Sequence, residues 1–94
     1  MTEKTFRMHI TDVFSLKNDF GVVVGRVEQG TVRVGDSVII AIANEELVAS
    51  VTGIEGFRKV LTKASTDEEI GLHLKGIDFE NIPIGSLVKS SRSN

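Results

Sequence analysis

Phe6-Arg7-Met8-His9-Ile10-Thr11 sets an apolar side chain at every second position with a polar one between, the period of a strand with one buried and one wet face. The same period returns in Ile70-Gly71-Leu72-His73-Leu74-Lys75, where Ile70, Leu72 and Leu74 face one way and Gly71, His73 and Lys75 the other. Between these two stretches, Gly21 to Val27 is a β-branched run, and its interior Gly25 marks a bulge or a close backbone approach. Gln29-Gly30 and Val34-Gly35-Asp36 are turn signals around the short extended piece Thr31 to Val34. Ser37 to Ala43 reads as a strand apolar on both faces and buried between other elements. Asn44-Glu45-Glu46 supplies a polar tip, and Leu47 to Ile54 returns as a strand whose end Gly53 and Gly56 bracket.

Phe57, Val60 and Leu61 could share one face of a helical turn, but no clear cap follows at Ala64-Ser65-Thr66-Asp67, so Phe57 to Ala64 is read as irregular. Gly76 ends the strand that starts at Ile70. Asp78 to Gly85, with the single proline Pro83, links to a last strand from Ser86 to Lys89. These are about six or seven short strands with glycine punctuation, which points to a sandwich or, as favoured here, a closed barrel, because closure removes exposed edges. The expected organisation is a flexible lead over residues 1–5, one all-β domain over residues 6–89 and a frayed tail over residues 90–94.

A chain of 94 residues fits one such domain. Apolar residues at 40% and charged residues at 26% are ordinary globular values. Eleven Lys and Arg against 13 Asp and Glu give a net charge of -2, too little field to hold a polyanion globally, so contact with nucleic acid has to be local. The absence of cysteine excludes disulfides, thiolate chemistry and Cys-based zinc sites. The longest apolar run, Val38 to Ala43, falls far short of the roughly 20 residues that cross a bilayer. Met1 to Phe6 lacks the apolar stretch of a secretory signal, and the expected location is the cytoplasm, with no membrane partner.

Catalytic patterns are missing. A phosphate-binding loop needs glycines followed by lysine and a hydroxyl, and Gly21-Val22-Val23-Val24-Gly25-Arg26 shares only its glycines with that pattern. His9 and His73 stand on the polar faces of different strands, without the further strong ligands a zinc ion requires. No serine sits on a sharp turn of the nucleophile type. Asp67, Glu68 and Glu69 read as a charge run on a solvated loop. Neither enzymatic activity, a cofactor nor a metal is expected. Arg58, Lys59 and Lys63 form a basic cluster after Gly56, read either as an exposed loop or as a contact for phosphate or an acidic partner. Phe20, beside Gly21, is assigned to the core.

Several blocks of the chain together resemble a known family. FRMHITDVFSL (Phe6 to Leu16), GVVVGRVEQG (Gly21 to Gly30), VRVGD (Val32 to Asp36), VTGIEGFRKVL (Val51 to Leu61), IGLHLKGI (Ile70 to Ile77) and IPIGSLV (Ile82 to Val88) are similar, in order and spacing, to the second domain of translation GTPases, most of all that of elongation factor Tu. The resemblance implies a Greek-key β-barrel that packs on a GTPase domain and helps to hold the aminoacylated 3′ end of transfer RNA. By that resemblance Leu16 and Val22 are the apolar wall of an RNA-end pocket, Glu55 its glutamate, Arg58 its nearby arginine and Gly71 the point of close approach.

The chain departs from the family pattern at Thr11, where a glutamate is usual, and at Asn18-Asp19-Phe20-Gly21, where a glycine-rich turn is usual. Glu69 stands for an asparagine beside the aminoacyl group and His73 for an apolar pocket residue, which changes the pocket's polarity. The resemblance covers the barrel and not the GTPase domain, so GTP hydrolysis is not expected of these residues. Two functions remain open. One is a non-catalytic module contacting a transfer RNA end, ribosomal RNA, the ribosome or a translation protein. The other is a protein-interaction or assembly module without RNA contact, its partner a GTPase domain in trans or a second copy in a homodimer.

Overall fold

Alternation in the sequence becomes a ladder in the computed structural model, which describes residues 5–91. Of the expected lead and tail, residues 1–4 and 92–94 lie outside the described residues. Thr5 is tied to the barrel through its carbonyl, which accepts from Gln29 Nε2 at 2.8 Å. The described residues form β1 (Arg7–Ser15), β2 (Phe20–Gln29), β3 (Thr31–Arg33), β4 (Ser37–Ile42), β5 (Glu45–Gly56), β6 (Lys59–Leu61), β7 (Lys63–Ser65), β8 (Glu69–Lys75) and β9 (Leu87–Ser90). All their pairings are antiparallel.

Six strands close a ring in the order β4, β9, β1, β2, β8, β5 and back to β4. Closure gives each of them a partner on both sides, so the ring presents no free edge. β6 extends β5, and β3 pairs with β7 as a separate ribbon. β8 and β9 follow one another in the chain but lie on opposite sides of the β1–β2 hairpin, a Greek-key connection. The fold is the closed Greek-key barrel expected from the sequence. No helix among the described residues is long and apolar enough to cross a membrane.

Phe6, Met8 and Ile10 from the β1 segment, Val23 and Val27 from β2, and Ile70, Leu72 and Leu74 from β8 all point inside and are fully or almost fully buried. The core contains no polar or charged residue among those described, so it holds together by apolar burial alone. Glycines let bulky groups approach. A Cβ on Gly21 would collide with the ring of Phe79, and one on Gly25 with the carbonyl of His9. The close approach expected at Gly25 is therefore real, while the extra residue of the bulge sits on the facing strand.

That bulge leaves Thr11 of β1 without a register partner, between Ile10↔Gly25 and Asp12↔Val24. A second bulge leaves out Thr52 of β5, between Val51↔Leu74 and Gly53↔His73. Each threonine donates its hydroxyl to the carbonyl across the ladder, Thr11 to Val24 at 3.1 Å and Thr52 to His73 at 3.2 Å. One extra residue reverses the phase of alternation. Along β5, Ala49 and Val51 are buried, and past Thr52 the next buried residue is Ile54.

Several expectations are corrected. Phe57 to Ala64 is not irregular: Phe57 and Arg58 form a tight turn into β6, and β7 follows after Thr62. Three-residue strands are too short to show a period. Ser37 to Ala43 is not buried on both faces, since a barrel has only one inside; Val38 and Ile40 are buried and Ile39 is half-buried. Phe20 is not a core residue. Its ring lies outside, 40% exposed, with Lys75 Nζ 5.9 Å from its centroid. Glu69 is not loop but the first residue of β8. Ser90 belongs to β9 and not to a tail, exchanging backbone and hydroxyl hydrogen bonds with Phe6 at 3.1 and 3.0 Å.

Candidate functional site

Two rungs of the ladder build the outer wall between β1 and β6. In the first, Phe14 faces Val22, Val22 faces His73 and His73 faces Gly53. In the second, Asp12 faces Val24, Val24 faces Gly71, Gly71 faces Glu55 and Glu55 faces Val60. Residues paired across a sheet share a face, so each rung is a row of neighbouring side chains. Both rows depend on the threonine bulges. Without Thr11, Phe14 would fall in phase with the buried Met8 and Ile10; without Thr52, Glu55 would fall in phase with Ala49 and Val51.

The rows enclose an open groove of about 610 Å³. Its apolar side is Phe14, Leu16, Val22 and Val24, and its other side is Glu55, Gly56 and Phe57 of the β5–β6 turn. Glu69, Ile70, Gly71 and His73 of β8 complete the lining. Gly71 sits at the centre. A Cβ there would come 3.3 Å from Val22 Cγ1 and 3.9 Å from Glu55 Oε1, so its absence keeps open the space between apolar wall and carboxylate.

Six of the seven residues singled out in the sequence line this one groove: Leu16, Val22, Glu55, Glu69, Gly71 and His73. Arg58 does not line it. Its guanidinium carbon lies 5.3 Å from the centroid of the Phe57 ring, so it borders the groove through that ring. The turn holds Arg58 at φ 60, a left-handed conformation costly for an L-residue. The basic cluster is divided, with Arg58 and Lys59 at the β5–β6 turn and Lys63 on β7 opposite Arg33. Phe14, Val24 and Phe57 complete the apolar surface. For Phe14 the sequence signal was masked by the bulge, which turns an apparent core position outward to 51% exposure.

Electrostatically the groove is acidic and apolar. Glu55 and Glu69 line it with His73, and no lining residue is a lysine or arginine. His73 Nε2 lies 3.3 Å from Glu55 Oε1, so the two side chains meet across the rungs. The other histidine, His9, pairs with Glu28 away from the groove. Among the described residues no group of three or more His, Asp or Glu could hold a metal ion. The lining offers hydrogen-bond acceptors, an imidazole and flat apolar surface, an arrangement suited to holding a planar group.

The family described as Elongation factor Tu domain 2 matches residues 21–88. Two solved structures of translation elongation factor SelB from Methanococcus maripaludis, the apo form and the complex with the GTP analogue GppNHp, are each similar at 26% identity with a TM-score of 0.87. Each match covers 98% of this chain and 20% of the SelB chain. The likeness therefore includes β1, which precedes the family match, and spans a fifth of the relative's length. With the closed barrel and the family match over most of its strands, this chain belongs to the elongation factor Tu domain 2 family.

Proposed function

We propose that the barrel is a non-catalytic binding module of translation whose groove receives the 3′ end of a transfer RNA. The observation that carries this reading is the gathering of Leu16, Val22, Glu55 and Gly71, drawn from four separate strands and loops, around one groove. A terminal adenine is flat and apolar on its faces, which suits the Leu16 and Val22 wall. Its exocyclic amine and its ribose hydroxyls donate, which suits the Glu55 carboxylate. Gly71 admits the close approach, and Arg58 at the rim is placed for a phosphate. With net charge -2 and few cations near the groove, phosphate contacts are few and the salt dependence is shallow. Such a module works in the cytoplasm with a GTPase domain as a partner in trans, and one of the similar SelB structures is a complex with a GTP analogue.

The test is titration of the chain with a short labelled RNA ending in CCA, against the same RNA with its 3′ end blocked. The open end binds more tightly. Glu55→Ala and Leu16→Ser each weaken it by about tenfold, the scale of a lost hydrogen bond to a charged group or of a lost apolar contact. Arg58→Asn keeps a residue that tolerates the left-handed turn while removing the charge, and it weakens binding in a salt-dependent way. Equal affinity for open and blocked ends, or unchanged binding in Glu55→Ala and Leu16→Ser, refutes the reading. A translation protein as the partner is the second reading, favoured by Phe57 and Val60, each 82% exposed on the β5–β6 hairpin.

A further inference from the structure

Arg33 and Lys63 face each other directly across the β3–β7 ribbon. Partners in an antiparallel ladder share a face with their Cβ atoms roughly 5 Å apart, so this rung sets two cations side by side, an arrangement that destabilises a sheet. Val32 and Ala64 are buried beneath the ribbon, which turns Arg33 and Lys63 to the solvent. The carboxylates bonded to the ribbon do not relieve the repulsion. Asp36 Oδ2 accepts from the Arg33 amide at 2.9 Å and Glu68 Oε1 from the Ser65 amide at 2.7 Å, and neither forms an ion pair among the described residues. On the next outward rung Thr31 Oγ1 and Ser65 Oγ lie 3.2 Å apart. One of these hydroxyls donates to the other, which leaves one proton for a ligand. Two uncompensated cations beside a free hydroxyl donor on an exposed face are the complement of a phosphate group.

The place of the ribbon favours RNA as the source of that phosphate. Arg58 borders the groove, and only β6 and Thr62 separate it from Lys63, a stretch that spans at most roughly 18 Å when fully extended. Resting on the RNA-end reading, we propose that the outer face of the β3–β7 ribbon is a second RNA contact, at which Arg33 and Lys63 together hold a backbone phosphate of the strand whose end lies in the groove. The Thr31 and Ser65 hydroxyls meet the adjoining ribose. Phosphate relieves the repulsion within the rung, so the protein gains from the contact beyond the pairing itself. The contact reads charge and carries no sequence information.

A single-stranded RNA blocked at its 3′ end, and so kept out of the groove, tests this when it is titrated into the full chain over a series of salt concentrations and followed by amide NMR. It binds weakly, shifts the amides of β3 and β7, and loses affinity as salt is raised. Lys63→Gln lowers its affinity about threefold, the scale of an exposed charge pair, and flattens the salt dependence. Lys63→Glu sets opposite charges on the rung. The blocked RNA then no longer binds detectably, while the urea midpoint stays at or above that of the unmodified chain, so the loss is not unfolding. Blocked RNA that binds Lys63→Glu as tightly as the unmodified chain, amide shifts confined to other strands, a lowered midpoint in that variant, or tighter binding of an oligoglutamate peptide than of the RNA each overturns the ribbon contact. The preference for an open over a blocked 3′ end belongs to the groove and survives any of these results, which leaves the RNA-end reading standing. Loss of that preference in the unmodified chain overturns the RNA-end reading and this inference with it.

Discussion

Ala43 occupies the first position of the two-residue turn between β4 and β5 with its backbone at φ 48. An L-residue in this region pays roughly 1–2 kcal/mol because its Cβ crowds the following carbonyl oxygen. Glycine escapes that strain but adds about 0.4–1 kcal/mol of conformational entropy to the unfolded chain. The strain is the larger effect, so Ala43→Gly raises stability by about 0.5–1 kcal/mol, read as a higher urea midpoint at unchanged slope. Arg58 sits in the same region at φ 60 and differs in consequence, because its guanidinium covers the exposed Phe57 ring beside the groove. Strain at Ala43 serves only the turn, whereas strain at Arg58 also places a charge at the rim.

Among the elements, β1 and β5 decide the site, and each does so through one threonine. At each bulge a threonine hydroxyl donates to a carbonyl of the facing strand, Thr11 to Val24 and Thr52 to His73. Thr52→Val keeps the β-branched shape and removes that donor from the His73 carbonyl. The expected cost is about 0.5–1.5 kcal/mol, measured by urea unfolding, with the exchange of the β8 amides around His73 accelerated more than elsewhere. β8 and the first half of β1 were legible because their alternation runs unbroken. β6 and β7 were not, since three residues carry no period; at Gly56, opposite Lys59 at the start of β6, a Cβ would come 2.8 Å from Leu61 Cδ1.

On the scale of the whole molecule, the ring closes only when β4 pairs with both β5 and β9, the latter bringing together residues far apart in the chain. Every ring strand therefore depends on the shared interior, and the barrel should unfold as one unit. Leu72, fully buried in β8, tests this: Leu72→Ala costs about 2–5 kcal/mol out of a total of order 5–15 kcal/mol. The chain has no Trp or Tyr, so circular dichroism and amide NMR are the two probes, and their transitions coincide. Separate transitions for β3–β7 and the ring would show that the ribbon is an independent unit. By itself the sequence determined an all-β barrel, the inward residues of β8 and the start of β1, and, through family motifs, six of the groove's lining residues. Only the tertiary structure decided that Phe14 and Glu55 face outward, that Phe20 leaves the core and that Arg58 reaches the groove only through Phe57. The physical reason is that alternation is a property of one strand, whereas a bulge exists only between two, and the side of the barrel on which a residue emerges is set by the partner that the ring's closure gives it.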